Sequence, residues 1–155
     1  MNSVRERIIQ EVIRHIGTKA FDNVTFDRIT RGEIPDDHTG DQGSILAVLE
    51  GREQFTPTAA RPVDCDLEVF LSFAVPLASG EVAATVSNNV AAELVKALSG
   101  NHAMQEGGAG ETLSMTFAPV AVEPNVLADG DQVATGIVEY RVRYRTNARD
   151  PFALQ

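Results

Sequence analysis

The sequence predicts an α+β fold: a mainly antiparallel sheet with two packed helices and a C-terminal β-hairpin. Two stretches carry apolar residues at helical spacing, and at least two longer stretches alternate apolar and polar residues. Turn-forming residues separate these stretches. The chain has 155 residues, of which 43% are hydrophobic, enough for one ordinary core. We therefore expect residues 1–155 to form a single domain.

Both predicted helices have recognisable ends. In the first, over residues 3–16, Ser3 and Glu6 match a capping box and Gly17 provides a helix-ending residue. Its apolar stripe consists of Val4, Ile8, Ile9, Val12, Ile13 and Ile16. The second helix, over residues 80–99, carries Val82, Val86, Val90, Leu94 and Leu98 and ends before Gly100. Its small alanines would let it lie close to a sheet.

The clearest strand runs from Val63 to Val75 and ends at Pro76. Alternate positions are apolar, while most of the positions between them are polar or small, including Asp64, Asp66 and Glu68. One face should therefore meet a core and the other should carry carboxylates. Shorter strands are predicted at Val24–Thr30, at Ser44–Leu49 (buried on both faces) and around Leu113, Met115 and Phe117.

The last strand places apolar and tyrosine side chains on one face and charged side chains on the other. Val138, Tyr140, Val142 and Tyr144 alternate with Glu139, Arg141, Arg143 and Arg145. Asp129-Gly130-Asp131 indicates a tight turn before it, so the final two long strands should pair as a hairpin. The polar segments 31–43 and 50–62 are expected to be loops.

Charge is unevenly distributed along the chain. The formal net charge is -9, which disfavours specific binding to nucleic acid. Glu33–Glu81 contains ten acidic residues and only two arginines, whereas Arg141, Arg143, Arg145 and Arg149 crowd the C-terminal end. The basic end of one copy could pair with Asp64, Asp66 and Glu68 of another. Alternatively, both regions are simply solvated surfaces.

Few residues are arranged for catalysis, and we expect neither an enzyme nor a bound cofactor or metal. His15 falls in the last turn of the first helix, where a cationic group favours the helix dipole. The oxygen-rich segment Asp36–Asp41 lacks the spacing of a calcium loop. Cys65, the single cysteine, lies on the inward strand face, where a thiol is usually inert. The carboxylate row on the long strand lacks the aromatic cleft that a glycosidase would need.

The whole-chain pattern resembles tail terminator (tail completion) proteins of long-tailed bacteriophages and related gene-transfer particles. The features in common are the opening amphipathic helix, a short strand, the long strand Val63–Val75, the alanine-rich helix Gly80–Ser99 and the terminal hairpin. The ending Tyr140-Arg141-Val142-Arg143-Tyr144-Arg145-Thr146 with Asp150-Pro151-Phe152 is similar to the closing strand of such proteins.

This resemblance implies a structural virion protein without catalytic residues. It implies a homohexameric ring that caps the tail tube, stops its polymerisation and offers a surface for joining tail to head. Its partners would be copies of itself, the tail tube protein and the head–tail connector (stopper) protein. DNA would pass through the lumen without specific binding.

Such a protein would assemble in the cytoplasm of a bacterial host and reside in the virion tail. No run approaches the roughly 18 apolar residues of a membrane span. The alternatives are another neck, tail tube or head-completion protein, or a small-ligand-binding α+β domain that uses the Asp36–Asp41 segment or the acidic strand face.

Overall fold

The computed structural model describes residues 3–58, 62–105, 112–125, 132–147 and 150–154. Within them lie two helices, seven strands and a short 3-10 turn, Gly40–Gln42. The helices are α1 (Val4–Gly17) and α2 (Ala83–Leu98). The strands are β1 (Arg28–Arg31), β2 (Ile45–Pro57), β3 (Pro62–Pro76), β4 (Gly100–Gln105), β5 (Thr112–Asn125), β6 (Val133–Asn147) and β7 (Asp150–Leu154). The predicted α+β class is confirmed.

All the strands belong to one sheet in the order β1-β2-β3-β6-β5-β4, and β7 pairs with β6 off this path. The expectation of a mainly antiparallel sheet is met only in part, because β1 and β2 run parallel whereas the other pairs are antiparallel. Parallel neighbours need a connection of roughly a dozen residues. The polar segment 32–44 makes that crossover.

The expected hairpin is also met in part. β5 and β6 pair antiparallel, as the alternation predicted. However, β6 also pairs with β3 along its whole length, and β7 follows it. The two strands are therefore an internal part of the sheet.

α1 forms because its apolar residues repeat at helical spacing behind a capped N-terminus. The Ser3 hydroxyl accepts a hydrogen bond from the Glu6 backbone N–H, which satisfies one of the free donors of the first turn. Its buried residues are Val4, Ile8, Ile9, Val12 and Ile16, most of the predicted stripe; Ile13 is partly buried against the core.

The core lies between the two helices and one face of the sheet, called here the inner face. Every second residue of β3 from Val63 to Val75 is buried on this face. β6 contributes Val138, Tyr140, Val142 and Tyr144 beside them. The period-two predictions for these two strands are confirmed. Ile45–Val48 of β2 are fully buried, as expected for a strand covered on both faces.

Two predicted elements were wrong. The segment 50–62 was expected to be a loop, but β2 continues to Pro57. β3 is long enough to offer hydrogen-bond partners to this polar stretch, with Gln54 opposite Asp66 and Thr56 opposite Asp64. Pairing of the backbone therefore overrides the polar composition. The tip of β2 extends past the core, and the side chain of Phe55 there is 61% exposed.

The strand predicted at Val24–Thr30 also needs correction, because regular pairing starts only at Arg28. Asp27 is held by Ser44 instead: its backbone N–H donates to the Ser44 hydroxyl at 3.0 Å. Its carboxylate accepts from the Ser44 backbone N–H at 2.8 Å. These bonds tie the entry to β1 to the entry to β2.

Candidate functional site: a charged sheet face and an adjoining cleft

The side of the sheet opposite the helices, called here the outer face, carries opposed charges on neighbouring strands. The register of β3 and β6 places Asp64 opposite Arg145, Asp66 opposite Arg143, and Glu68 opposite Arg141. Because directly opposed residues in a sheet lie within contact distance, opposite charges there attract. The acidic and basic groups singled out in the sequence therefore meet within one chain.

Two of these three cross-strand pairs form ion pairs. The Arg145 Nε donates to an Asp64 carboxylate oxygen at 2.7 Å, and the Arg143 Nε donates to Asp66 at 3.0 Å. The hydrogen bond from Arg145 lowers the pKa of Asp64. The hydrogen bond to Asp66 raises the pKa of Arg143. These hydrogen bonds favour the charged forms of Asp64 and Arg143.

The third cross-strand pair, Glu68 and Arg141, forms no ion pair among the described residues. A Glu68 carboxylate oxygen accepts a hydrogen bond from the Arg52 backbone N–H at 2.9 Å, where β2 shifts register between Glu50 and Glu53. Among the described residues, Arg141 has no ion-pair partner and its side chain is exposed. Arg149 lies outside the described residues. The assignment of this face to a subunit interface stays a prediction.

Gly51 makes this register shift sterically feasible. A Cβ at Gly51 would lie 2.7 Å from the Glu68 carboxylate and 2.7 Å from the Phe70 ring. Glycine therefore lets the backbone of β2 pass beside these two side chains.

A cleft of about 480 Å³ adjoins one end of the outer face. The connection between β1 and β2 forms one wall through Asp36, His38 and Asp41. The other wall comes from β3 and β6, where Ser72, Ala74, Val133, Thr135 and Ile137 line the cleft. The Asp36–Asp41 segment is recognisable in the sequence as oxygen-rich, but no sequence pattern indicates that it lies against these strands.

The wall formed by segment 32–43 is held by local hydrogen bonds. His38 Nε2 donates to the Gly43 carbonyl at 3.0 Å, and the Gln42 side chain accepts from the Thr39 backbone N–H at 3.1 Å. Gly40 packs close to Val133 and Pro76, where a Cβ would contact both. The cleft is therefore preformed.

No group of three metal-ligating side chains is found in the described part of the chain. In particular, Asp36, His38 and Asp41 do not converge on one point that could hold an ion.

The other two histidines support the end of α2. His15 Nε2 donates to the Ala97 carbonyl at 3.1 Å, and His102 Nε2 donates to the Leu98 carbonyl at 2.7 Å. Their rings meet edge to face at a centroid distance of 5.0 Å. Because the last carbonyls of a helix lack partners within the helix, both histidines have a structural role here. His15 lies in the last turn of α1, as predicted.

A second ionic group joins α1 to the sheet. Glu50 accepts from Arg5 at 2.7 Å and from Arg31 at 2.5 Å, and Arg31 also reaches Glu6 at 2.5 Å. Next to it, the Tyr144 hydroxyl donates to Glu53, and burial raises the pKa of Glu53. No local sequence pattern indicates this group, since its members come from three elements far apart in the chain.

Cys65 is buried on the inner face, as predicted, and burial raises the pKa of its thiol to about 11. Since the thiolate is the reactive form, a thiol with so high a pKa is unreactive at neutral pH.

Comparisons with known protein families and with curated proteins give no match. Neither helix in the described part of the chain has the length and apolar character needed to cross a membrane.

Proposed function

We propose that this protein is a structural component of a bacteriophage tail: a ring-forming terminator that caps the tail tube and joins tail to head. The observation that carries the proposal is the outer face of the sheet. It is built from long paired strands and presents charged side chains of both signs. A broad face of this kind suits contact with another protein.

A ring of identical subunits joins one patch of each copy to a different patch of the next. The outer face and the exposed tip of β2, where Phe55 lies, are two dissimilar surfaces of this chain. The whole-chain resemblance to tail terminators supports six copies, with the tail tube protein and the head–tail connector as further partners. DNA would cross the lumen without specific contacts, in keeping with the net charge of -9.

The first test is native mass spectrometry of the purified protein, alone and with tail tube protein. We expect rings of six subunits. A protein that remains monomeric in both samples at high concentration would contradict the proposal. Electron microscopy separates single rings from the open tubes that a tail tube protein would form.

The second test asks whether the outer face makes the contact. We expect Arg143→Glu to weaken ring assembly while the fold is retained, because it places two acidic groups side by side and reverses the charge offered to a neighbour. The ring-to-monomer ratio from native mass spectrometry measures this, and circular dichroism checks the fold.

A charge swap is the matched control. Asp66→Arg combined with Arg143→Glu restores the pair within the chain but keeps the pattern offered to a neighbour reversed. If assembly stays weak in the double variant, the outer face contacts a neighbouring subunit. Full recovery of assembly would mean that assembly needs only the ion pair within the chain. The outer face would then not be part of the subunit interface.

A small-ligand-binding function is the second candidate, and the cleft beside segment 32–43 favours it. Its volume of about 480 Å³ falls in the range of small-molecule sites. A thermal-shift screen with common metabolites and divalent metals separates the candidates. Strong stabilisation by one metabolite, with no ring formation, would favour the ligand-binding function.

A further inference from the structure

The two edges of the sheet are each covered over only part of their length. β1 pairs with residues 45–48 of β2, while residues 49–57 have a described neighbour only on the β3 side. On the opposite edge, β4 pairs with residues 112–117 of β5, and residues 118–125 have β6 as their only described neighbour. The uncovered stretches, called here the free halves of β2 and β5, expose backbone N–H and C=O groups that could pair with another strand.

The two free halves lie at opposite ends of the sheet. The strand register aligns Thr30 of β1 with Glu123 in the free half of β5. It also aligns Gln54 in the free half of β2 with Asn101 of β4. β1 is therefore level with the free half of β5, and β4 is level with the free half of β2. The β1 edge of one copy is thus complementary in outline to the β4 edge of another copy.

Exposed apolar side chains are concentrated on the two free halves. Five large hydrophobic side chains are exposed among the described residues, and three of them lie on these stretches. Phe55 of β2 is 61% exposed, and Val120 and Val122 of β5 are 49% and 43% exposed. Because an unpaired apolar edge promotes pairing with another chain, edge strands usually avoid such side chains. Their presence indicates that both edges meet a partner.

The two edges also carry opposite charges at the same end of the sheet. Arg28 of β1 and Glu123 of β5 are exposed, and neither forms an ion pair within the described residues. Arg28 lies two residues from Thr30, which is level with Glu123. Within one chain, three strands separate the two charges, but on adjoining copies they would be neighbours and attract. At the other end, the aligned Gln54 and Asn101 are uncharged, so nothing repels.

We propose that copies of this chain join through these edges. β4 of one copy lies beside the free half of β2 of the next copy, and the free half of β5 lies beside β1 of that same neighbour. The contact joins two different edges, as a ring of identical subunits requires. This inference rests on the proposed function, because it names surfaces through which the copies of the ring meet. It adds an edge contact to the one proposed for the outer face.

Paired cysteines test this arrangement in the full-length protein. When Gln54→Cys is combined with Asn101→Cys, the two thiols of one chain are four strand spacings apart, about 19 Å, which is too far for a disulfide. The same positions on adjoining copies lie side by side. After oxidation with copper phenanthroline, we expect a non-reducing gel to show a ladder of covalent species that ends at six copies.

The combination of Thr30→Cys with Asn101→Cys is the matched control. Thr30 lies at the same side of the sheet as Gln54, but about 20 Å away along the strands. This variant should therefore give less than about a tenth of the cross-linked product. An equal yield from both variants would overturn the edge contact, because random collisions would then explain the cross-links.

A charge swap provides a second, non-covalent measurement. Arg28→Glu and Glu123→Arg should each raise the concentration at which half of the protein is assembled about fivefold, because like charges then face each other. The double variant should return to within about twofold of the wild type. Since the two residues lie far apart in one chain, this recovery requires contact between copies. A double variant as weak as either single variant would overturn the pairing of β1 with β5.

The outcomes separate the edge contact from the proposed function. A ladder that continues far beyond six copies, with filaments in electron micrographs, would support the edge contact and contradict the ring. Rings of six subunits that give no cross-links would overturn the edge contact alone. A wild-type protein that remains monomeric would overturn both.

Discussion

Single residues decide how closely two backbone segments can approach each other, and Gly43 is the clearest case. Its φ of 80° and ψ of -170° belong to a region that is essentially restricted to glycine. A Cβ at this position would lie 2.5 Å from the Asp27 carboxylate. That carboxylate accepts from Ser44, and these hydrogen bonds lower the pKa of Asp27. The bare backbone of Gly43 therefore permits the link between the entries to β1 and β2.

We predict that Gly43→Ala destabilises the protein by about 2–3 kcal/mol, from backbone strain together with displacement of Asp27. Gly32→Ala is the control: Gly32 also has a positive φ, of 95°, but no atom lies within 4 Å of the added Cβ. It should cost only about 1 kcal/mol. Urea denaturation of both variants measures the difference, and equal losses would argue against the steric explanation.

At the scale of elements, the C-terminal end of α2 is held by side chains from three other elements. His15 of α1 and His102 of β4 cap the carbonyls of Ala97 and Leu98. Tyr140 of β6 donates to the Leu94 and Val95 carbonyls at 2.9 and 3.0 Å. Because these bonds join two helices and the sheet at one place, this junction should be sensitive to the charge of His15.

We predict a loss of stability on mild acidification that originates at His15. Burial lowers the pKa of His15 below 6.5. The nearby positive charge of Lys19 and the His102 ring lower this pKa further, whereas the hydrogen bond to Ala97 and the charge of Glu11 raise it. As the pH falls, His15 is therefore protonated at a higher pH in the unfolded chain than in the folded protein. The corresponding stability is present above pH 6.5 and is lost as the pH falls through the folded-state pKa.

The variant His15→Gln tests this pH dependence, because the glutamine amide can still donate to Ala97 but does not titrate. Melting temperatures of the two proteins, recorded between pH 8 and pH 5, should differ by a constant amount above pH 7 and converge or cross below pH 6. A parallel decline over the whole range would assign the acid sensitivity to other groups.

At the scale of the whole molecule, β3 and β6 form the centre of one continuous sheet. They pair from Pro62 opposite Asn147 to Pro76 opposite Val133, and their inner-face side chains belong to the same core as the buried residues of both helices. Cys65, with 0% exposure, lies in this centre. Opening of the sheet here would disrupt the core shared by all the elements.

We predict that Cys65 reacts with a disulfide reagent such as DTNB only through global unfolding. Its raised pKa, about 11, leaves little thiolate at pH 8. The free energy derived from the rate of labelling in low urea should equal the free energy of unfolding from circular dichroism. Labelling much faster than that relation allows would reveal local opening of β3.

Prediction from sequence succeeded wherever one face of an element is buried by periodic apolar residues. The α1 stripe and the alternation in β3 and β6 are local signals, readable without knowledge of partners. It failed for residues 50–57, which are polar and become a strand because β3 lies alongside. β4 and β7 were missed for a different reason: each pairs with the strand next to it in the chain, but neither has the alternating apolar pattern that predicts a strand.

The candidate site divides in the same way. The sequence by itself determined the class of the fold, the two helices, the buried faces of the long strands and the presence of acidic and basic rows, because each follows from the period of its own segment. Only the tertiary structure decided that Asp64 and Asp66 pair with Arg145 and Arg143 of the same chain, and that segment 32–43 encloses a cleft. Strand register and crossover path join residues far apart in sequence, and no local pattern specifies them.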